Sequence, residues 1–181
     1  MNPAPSAGSS DTSTMSAPDG RKASFAPVIA PHTRVLVLGS LPGERSLAEQ
    51  RYYAHPQNQF WRLVGGAIER DLEGLEYDAR IAALLDAGIG LWDTVASANR
   101  RGSLDAAIRD AEHNPLADLT ATLPELRAVA FNGATSARIG RALLAGTNSH
   151  LLPLPSSSPA YAAMPFAEKL RLWRAIGEFL R

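Results

Sequence analysis

The chain has 181 residues, and its composition excludes several kinds of chemistry before any motif is considered. It holds 18 basic residues, 18 acidic residues, four histidines and no cysteine. Without cysteine there is no disulfide, thiolate nucleophile, iron–sulfur cluster or cysteine-ligated zinc. The balanced charge argues against a strongly electrostatic, sequence-indifferent polyanion binder. A chain of this length suits one domain with a full core.

The N-terminal segment predicts a tail rather than a membrane or secretory element. No apolar run approaches the roughly 20 residues needed to span a bilayer, and no apolar secretory core is present. We therefore expect a cytoplasmic protein without membrane contact. Residues 1–25 are rich in Ser, Pro, Ala and Gly and lack periodicity, which predicts a disordered tail before a single domain over 26–181.

Four short apolar runs that end in turn residues predict buried β-strands, and the first is a run of β-branched residues and leucine. They cover residues 34–39, 88–94, 127–133 and 150–155. Helical periodicity fills the intervals between them. The predicted helices begin at Gln57 or Asn58 and at residues 78, 103, 114, 134 and 165, with a break near Pro124.

This alternation predicts a three-layer α/β/α fold around a central, mostly parallel four-stranded sheet. Ligands of such sheets bind at the carboxyl ends of the strands. Four residue pairs mark those ends and are expected along one edge: Gly39 and Ser40, Trp92 and Asp93, Asn132 and Gly133, and Pro155 and Ser156.

Two loops at this edge offer polar groups. "GSLPGERSL", from Gly39, contains glycines that permit close backbone approach, but its spacing matches neither the Walker A nor the dinucleotide pattern. A simple glycine–proline turn is the alternative interpretation. "LPSSSPAY", from Leu154, carries three successive hydroxyls that suit phosphate oxygens. Nearby arginines give local positive charge or a solvated surface: Arg45, Arg51, Arg62, Arg100, Arg101, Arg138 and Arg141.

The segment "YYAHPQNQFW", from Tyr52 to Trp61, is unusually rich in rings and amides. The helical pattern assigns its last two aromatics to the core. Asn58 sits where a helix N-cap belongs. Tyr52 and Tyr53 precede the helix, where rings are less easily buried, so a stacking surface for a planar ligand is a contender. His55, on its own, favours a structural role.

Five segments taken together resemble the hypoxanthine-DNA glycosylase branch of the uracil-DNA glycosylase superfamily. They are "VLVLGSLPGERSL", "YYAHPQNQFW", "GIGLWDTVASANRRGSLDAAI", "AFNGATSARI" and "LPSSSPAY", in order over nearly the whole predicted domain. The related mismatch-specific enzymes share a "G-x-N-P-G" loop followed by "F-A-H-P-x-N-x-F-W". The resemblance implies a monofunctional glycosylase that flips out and hydrolyses deaminated bases, chiefly hypoxanthine, in base excision repair.

The resemblance also assigns roles to individual residues. Asn58 matches the asparagine implicated in catalysis, and Tyr53 matches the ring that stacks on the flipped base. Leu41 stands where uracil-specific relatives hold an asparagine or aspartate, which disfavours efficient uracil removal. The other implied base-binding residues are Gly39, Ser40, Pro42, Gly43, His55 and Asn132. The implied DNA-binding residues are Ser46, Ser156, Ser157, Ser158, Pro159 and Tyr161.

The implied reaction uses no metal and no cofactor. Lys169 is expected on the surface, so no Schiff-base lysine is implied. Damaged DNA, double- or single-stranded, is the expected partner of a monomer without an obligate protein partner. Two alternatives stay open: a uracil, xanthine or broad deaminated-base glycosylase, and a noncatalytic nucleic-acid-binding α/β module.

Overall fold

The computed structural model describes residues 21–181. Its strands are β1 (Arg21–Ala23), β2 (Val35–Gly39), β3 (Ile89–Asp93), β4 (Val95–Asn99), β5 (Arg109–His113), β6 (Ala128–Asn132) and β7 (His150–Leu154). Its α-helices are α1 (Glu44–Glu49), α2 (Phe60–Ala67), α3 (Tyr77–Asp86), α4 (Leu116–Ala121), α5 (Ala134–Leu143) and α6 (Phe166–Trp173). Two 3₁₀ helices cover Asp105–Ala107 and Arg174–Phe179. Within residues 21–181, no helix has the length and apolar character needed to cross a membrane.

The central sheet confirms the predicted fold class. Its four strands lie in the order β3-β2-β6-β7, and every neighbouring pair is parallel. All four predicted strands are present. Strands β2, β3 and β6 are buried at every residue, because helices cover both faces of a parallel sheet.

The two faces of the sheet form separate apolar clusters, as alternation along the strands requires. One cluster joins Val35, Val37, Ile89 and Leu91 to side chains of α2, α3 and α6. The other joins Leu36, Leu38, Val129 and Phe131 to α4 and the end of α5. The result is an α/β/α sandwich.

A second sheet was not predicted. Strands β1, β4 and β5 form an antiparallel sheet in the order β1-β4-β5, with Arg21 opposite Asn99. The prediction of a helix from residue 103 is wrong beyond one 3₁₀ turn, because residues 109–113 form β5 and pair with β4. Short polar strands such as β5 carry no buried face, so they leave little apolar pattern to read.

The predicted tail boundary also needs correction. Residues 21–23 form β1, and the carbonyl of Phe25 accepts a hydrogen bond of 2.9 Å from the Trp92 indole. The Phe25 ring also packs edge-on against Tyr52. Residues 21–25 therefore belong to the fold, and the rest of the predicted tail, 1–20, lies outside the described residues.

Helix α1 was not predicted, and two further helices show how boundaries differ from the sequence prediction. Helix α2 begins at Phe60, because the Asn58 side chain accepts the Phe60 N–H and Gln59 occupies the N-cap position. The final helix changes from α to 3₁₀ geometry at Arg174. Both changes are small, and the predicted core side chains Trp173 and Ile176 are buried.

The sheet topology creates one crevice at its carboxyl edge. The chain leaves β2 toward the face covered by α2 and α3, whereas it leaves β6 toward the face covered by α5. The loops after these two neighbouring strands therefore diverge, which opens a crevice where ligands of such folds bind. Gly39 and Asn132 end the two strands.

Candidate active site

A cavity of about 430 Å³ occupies this crevice. Every residue that the sequence analysis assigned to a site lines it. They are Gly39, Ser40, Leu41, Pro42, Gly43, Ser46, Tyr53, His55, Asn58, Asn132, Ser156, Ser157, Ser158, Pro159 and Tyr161. The fold thus brings together segments that lie more than one hundred residues apart in the sequence.

Arg100 holds the loop after β2 in place through hydrogen bonds to backbone carbonyls. Its guanidinium donates to the carbonyl of Leu41 at 3.2 Å, to the carbonyl of Pro42 and to the carbonyl of Gly102 at 3.0 Å. The interpretation of Arg100 as solvated surface is wrong, since the residue is only 3% exposed. Burial lowers the pKa of Arg100, but an arginine retains its proton because its ordinary pKa is so high.

Gly39 leaves room for two side chains behind the cavity. A Cβ at this position would lie 2.8 Å from Asp93 Oδ1 and 3.2 Å from the Tyr53 hydroxyl. The first distance is too short for a methyl group, and the second would require the tyrosine to shift slightly. The bare backbone of Gly39 therefore allows Tyr53 and Asp93 to approach the end of β2.

Leu41 contributes an apolar side chain to the core. It is buried and packs in a small cluster with Val95, Ala98 and Ile139. This position therefore supplies the cavity with no polar side-chain group, in agreement with the departure noted in the sequence.

Tyr53 is held in place from two sides. Its ring stacks on Phe60 with centroids 3.8 Å apart and an interplanar angle of 15°. Its carbonyl accepts a hydrogen bond of 3.2 Å from the Trp61 indole. Its φ of 52° lies in the left-handed region, which is costly for a tyrosine and typical of functional sites. The rings of Phe60 and Trp61 thus fix a third ring at the cavity wall.

Tyr52, by contrast, is a core residue. It is buried in the main cluster, and its ring meets Phe25 edge-on at a centroid distance of 5.1 Å. The suggestion that both tyrosines form a stacking surface is therefore not supported for Tyr52.

Asn58 lines the cavity, and one end of its amide is engaged in a hydrogen bond. Its Oδ1 accepts a hydrogen bond of 2.9 Å from the Phe60 N–H. That bond orients the side chain, so Nδ2 is the end with two donors to offer at the cavity. The neighbouring His55 is exposed, and its Nδ1 accepts a hydrogen bond of 3.1 Å from the Gln57 N–H.

Asn132 ties the end of β6 to the serine loop. Its Nδ2 donates to the Ser157 hydroxyl at 2.8 Å, and its Oδ1 accepts the Ser157 N–H at 2.8 Å. Ser157 is 1% exposed. The geometry therefore supports a scaffolding role for this pair, and the expected phosphate contact of the Ser157 hydroxyl is not supported.

The other predicted DNA-binding serines divide into two groups. Ser156 and Ser158 are partly exposed, and their hydroxyls accept backbone N–H groups within the same loop. Each keeps its own O–H free to donate. Ser46 is instead buried and accepts the Ala54 N–H at 3.1 Å, so it joins α1 to the tyrosine loop and does not present a surface hydroxyl.

Lys169 corrects another expectation. It is 2% exposed, and its ammonium donates to Gln59 Oε1 at 3.1 Å and to the Tyr161 carbonyl at 2.7 Å. The same group lies 5.1 Å from the centroid of the Tyr161 ring. Lys169 is therefore a buried link between α6, the start of α2 and the serine loop.

The structure adds two acidic residues that the sequence analysis did not select. Asp105 Oδ1 accepts a hydrogen bond of 2.5 Å from the Ser40 hydroxyl at the cavity wall. Asp93 is buried behind Gly39, and burial together with the Asp105 carboxylate raises its pKa to about 7, although Arg100 opposes the shift. The sequence could have indicated Asp93 as a site residue, because it ends a predicted strand. No feature of the sequence indicated Asp105.

Known proteins match this chain over the region that contains the site segments. Residues 26–177 match the family model described as the uracil DNA glycosylase superfamily. A curated protein named hypoxanthine DNA glycosylase from Methanosarcina acetivorans is 40% identical over 139 residues, which cover 77% of this chain and 87% of that protein. One of the same name from Methanosarcina barkeri is 44% identical over 116 residues, covering 64% of this chain and 73% of the relative.

A solved structure extends the match to the fold. The solution NMR structure of a candidate uracil DNA glycosylase from Methanosarcina acetivorans superposes with a TM-score of 0.80 and 37% identity. The match covers 88% of this chain and 98% of that chain. The resemblance drawn from the motifs is confirmed, and the chain belongs to the uracil DNA glycosylase superfamily.

Proposed function

We propose that this chain is a monofunctional DNA glycosylase that extrudes and hydrolytically excises deaminated bases, chiefly hypoxanthine. The observation that carries the proposal is the cavity in which the held ring of Tyr53 and the amide of Asn58 meet the loops after β2, β6 and β7. The names of the two curated relatives support hypoxanthine as the principal base.

Tyr53 is suited to bind an extruded purine. A base must leave the duplex before its glycosidic bond is reachable, and unstacking costs a few kcal/mol. Stacking of a base on an aromatic side chain returns about 1–3 kcal/mol. Because Phe60 and Trp61 already fix the Tyr53 ring, little side-chain entropy is lost when the base binds.

Asn58 is the proposed catalytic residue. As the bond between the sugar C1′ and the purine nitrogen breaks, its electron pair stays on the base, which gains negative charge. Water adds to C1′ and loses a proton, and the departing base takes up a proton. A fixed N–H donor beside the base stabilises that charge. An amide does not exchange protons at neutral pH, so Asn58 acts by donation and orientation.

Hydrolysis without strand cleavage follows from the engaged state of Lys169. Its ammonium is buried and bonded to Gln59 and Tyr161, which argues against attack on the sugar to form a Schiff base. The proposed products are a free base and an intact strand with an abasic site.

Damaged DNA is the proposed partner, bound by one copy of the chain. Ser156 and Ser158 donate hydroxyls toward phosphates, while Pro159 and Tyr161 lie at the exposed side of the serine loop. The net charge is zero, so we propose moderate, salt-sensitive affinity through this local surface.

A broader substrate range is the second candidate. The solved relative is described as a candidate uracil DNA glycosylase, which favours testing uracil and xanthine beside hypoxanthine. The buried, apolar Leu41 disfavours efficient uracil removal, since it cannot orient a water or a base edge.

The test is an excision assay with the purified 181-residue chain on oligonucleotides that carry hypoxanthine, xanthine, uracil or no lesion. We expect the fastest excision for hypoxanthine and a strand break only after alkali. A faster reaction on uracil would support the broader enzyme, and nicked product without alkali would refute the monofunctional reaction. Binding without excision of any lesion would favour a noncatalytic module.

A further inference from the structure

Asp105 places a carboxylate in the wall of the cavity, and the proposed reaction does not use it. The residue begins the 3₁₀ helix Asp105–Ala107 and lines the same cavity as Tyr53 and Asn58. Its Oδ1 accepts the Ser40 hydroxyl at 2.5 Å, and no N–H or O–H group of residues 21–181 donates to its Oδ2. Because a carboxylate accepts hydrogen bonds and donates none, Asp105 keeps an acceptor for a ligand.

The chain that carries Asp105 is fixed before any ligand binds. The carbonyl of Gly102 accepts a hydrogen bond of 3.0 Å from Arg100. The Ser103 hydroxyl accepts the Glu44 N–H at 3.0 Å, which ties the segment to the start of α1. Little conformational entropy is therefore lost when the carboxylate accepts a hydrogen bond from a ligand.

Other acceptors around the cavity are already engaged. Each carbonyl of the loop from Gly39 to Gly43 accepts a hydrogen bond, the donors being Thr94, Val95, Arg100 and Leu47. The amide oxygens of Asn58 and Asn132 accept backbone N–H groups. Glu44, which also lines the cavity, takes part in an ion pair. Among the described residues that line the cavity, Asp105 is therefore the carboxylate that remains for a ligand.

Adenine and its deamination product hypoxanthine differ at the edge of the purine that holds N1. Adenine has a lone pair on N1, whereas hypoxanthine has an N1–H beside the oxygen on C6. A carboxylate accepts that N1–H, but its negative charge repels the lone pair of adenine. A site built to make a hydrogen bond to its substrate rejects an analogue that leaves the bond unmade.

Resting on the proposed function, we propose that Asp105 accepts the N1–H of the extruded hypoxanthine and thereby excludes adenine, while Ser40 holds the carboxylate in place. N1 lies across the purine from N9, whose bond to the sugar breaks. The negative carboxylate is thus on the far side of the base from the reacting atoms. In this arrangement Asp105 selects the base, and Asn58 stabilises the charge that develops on it.

Asp105→Asn tests this role, because Ser40 orients the replacement. The Ser40 hydroxyl still has an oxygen to donate to, so the amide nitrogen becomes a donor where wild type has an acceptor. Single-stranded oligonucleotides remove the cost of extrusion from a duplex. On them we expect single-turnover excision of hypoxanthine to fall about tenfold to 100-fold, the value of a hydrogen bond to a charged group.

Binding measurements separate selection of the base from the chemical step. The probes are single strands that carry 2′-fluoroarabino analogues of deoxyinosine or deoxyadenosine, whose fluorine suppresses loss of the base. By fluorescence anisotropy, we expect wild type to prefer the inosine analogue about tenfold or more, and Asp105→Asn to bind the two alike or to prefer adenine. Asp118→Asn makes the same change on the exposed side of α4 and is expected to match wild type.

Each other outcome has a distinct meaning. Slower excision by Asp105→Asn with the wild-type binding preference would overturn the proposal in favour of an action on water or on the sugar. Equal binding of the two analogues by wild type would also overturn it. If wild type excised no base at all, the proposed function itself would fall.

One measurement needs no variant. The base 1-methylhypoxanthine keeps the C6 oxygen and lacks the N1 proton, so we expect wild type to excise it at least about tenfold more slowly than hypoxanthine. Equal rates would refute the role of Asp105 even if Asp105→Asn did not fold, and a thermal melt shows whether the variant folds.

Discussion

Asn58 shows how one side chain serves both the fold and the proposed chemistry. Its oxygen accepts the Phe60 N–H at the start of α2, and the residue lines the cavity, where we propose that its nitrogen acts as a donor. Gln59 rather than Asn58 holds the N-cap position, but the bond from Asn58 to the first residue of α2 is compatible with the proposed catalytic role. A replacement that keeps the oxygen and removes the nitrogen separates them.

Asn58→Asp is that replacement. An aspartate oxygen still accepts the Phe60 N–H, so we expect the free energy of unfolding to stay close to that of wild type. The variant loses the N–H donor and adds negative charge near a base that becomes negative, so we expect single-turnover excision to fall by about 100-fold or more. DNA binding, measured by fluorescence anisotropy, is expected to change little.

Asn58→Ala serves as the matched control for the hydrogen bond to the Phe60 N–H. It removes both ends of the amide, so excision and some stability are expected to fall together, the latter by about 1 kcal/mol. Retained excision in Asn58→Asp would assign Asn58 to water handling instead. Equal losses of excision and DNA binding in Asn58→Ala would refute a catalytic role.

At the scale of elements, the cavity walls are loops that other elements brace. Arg100, at the end of β4, supports the carbonyls of Leu41 and Pro42 in the loop after β2. Asn132, at the end of β6, supports Ser157 in the loop after β7. Each loop thus depends on a polar side chain from another part of the chain, which preorganises the site before DNA arrives.

Arg100→Met tests this bracing. The change leaves buried carbonyls without their donors, and an unsatisfied buried group costs about 1–3 kcal/mol. We expect the free energy of unfolding in urea to fall by about that amount and excision to slow, because the loop that lines the cavity loses its support.

Arg101→Met is the control for the stability measurement. It makes the same chemical change at the next residue, whose side chain is exposed. Surface substitutions of this kind stay within about 0.5 kcal/mol. If the two variants had the same free energy of unfolding, Arg100 would not be the support that its contacts indicate.

For the whole molecule, Asp93 couples stability to pH. Its pKa is raised to about 7 in the folded chain by burial and by Asp105, whereas an exposed aspartate in the unfolded chain has a pKa of about 3.9. The folded state therefore binds more protons between these values. The resulting stabilisation is complete below about pH 4 and is lost as pH rises toward about 7.

Asp93→Asn removes this titrating group while keeping its size. For wild type, we expect the free energy of unfolding to contain a contribution that falls between pH 4 and pH 7, with each unit of pKa difference worth about 1.4 kcal/mol. The variant is expected to lack that contribution. Urea titrations of both proteins at pH 5 and pH 8 give the comparison, and an identical pH dependence would show that Asp93 does not titrate in this window.

The segments fixed by buried, periodic side chains were predictable from the sequence. The four strands of the parallel sheet, its α/β/α layering and the gathering of their carboxyl ends follow from apolar runs and helix periodicity. The order of the five motifs along the chain also indicated the family. These features depend on local pattern, so one sequence suffices to read them.

The tertiary structure alone decided which polar groups face the cavity and which support it. Nothing local distinguishes the buried Arg100 and Lys169 from surface residues, or Tyr52 in the core from Tyr53 at the wall. The second sheet likewise depends on pairing between β1 and β4, which are distant in the sequence. The side chains of Arg21 and Ser97, which join the two strands by a hydrogen bond, are 76 positions apart. Burial and pairing depend on partners distant in the chain, and those partners exist only once the chain has folded.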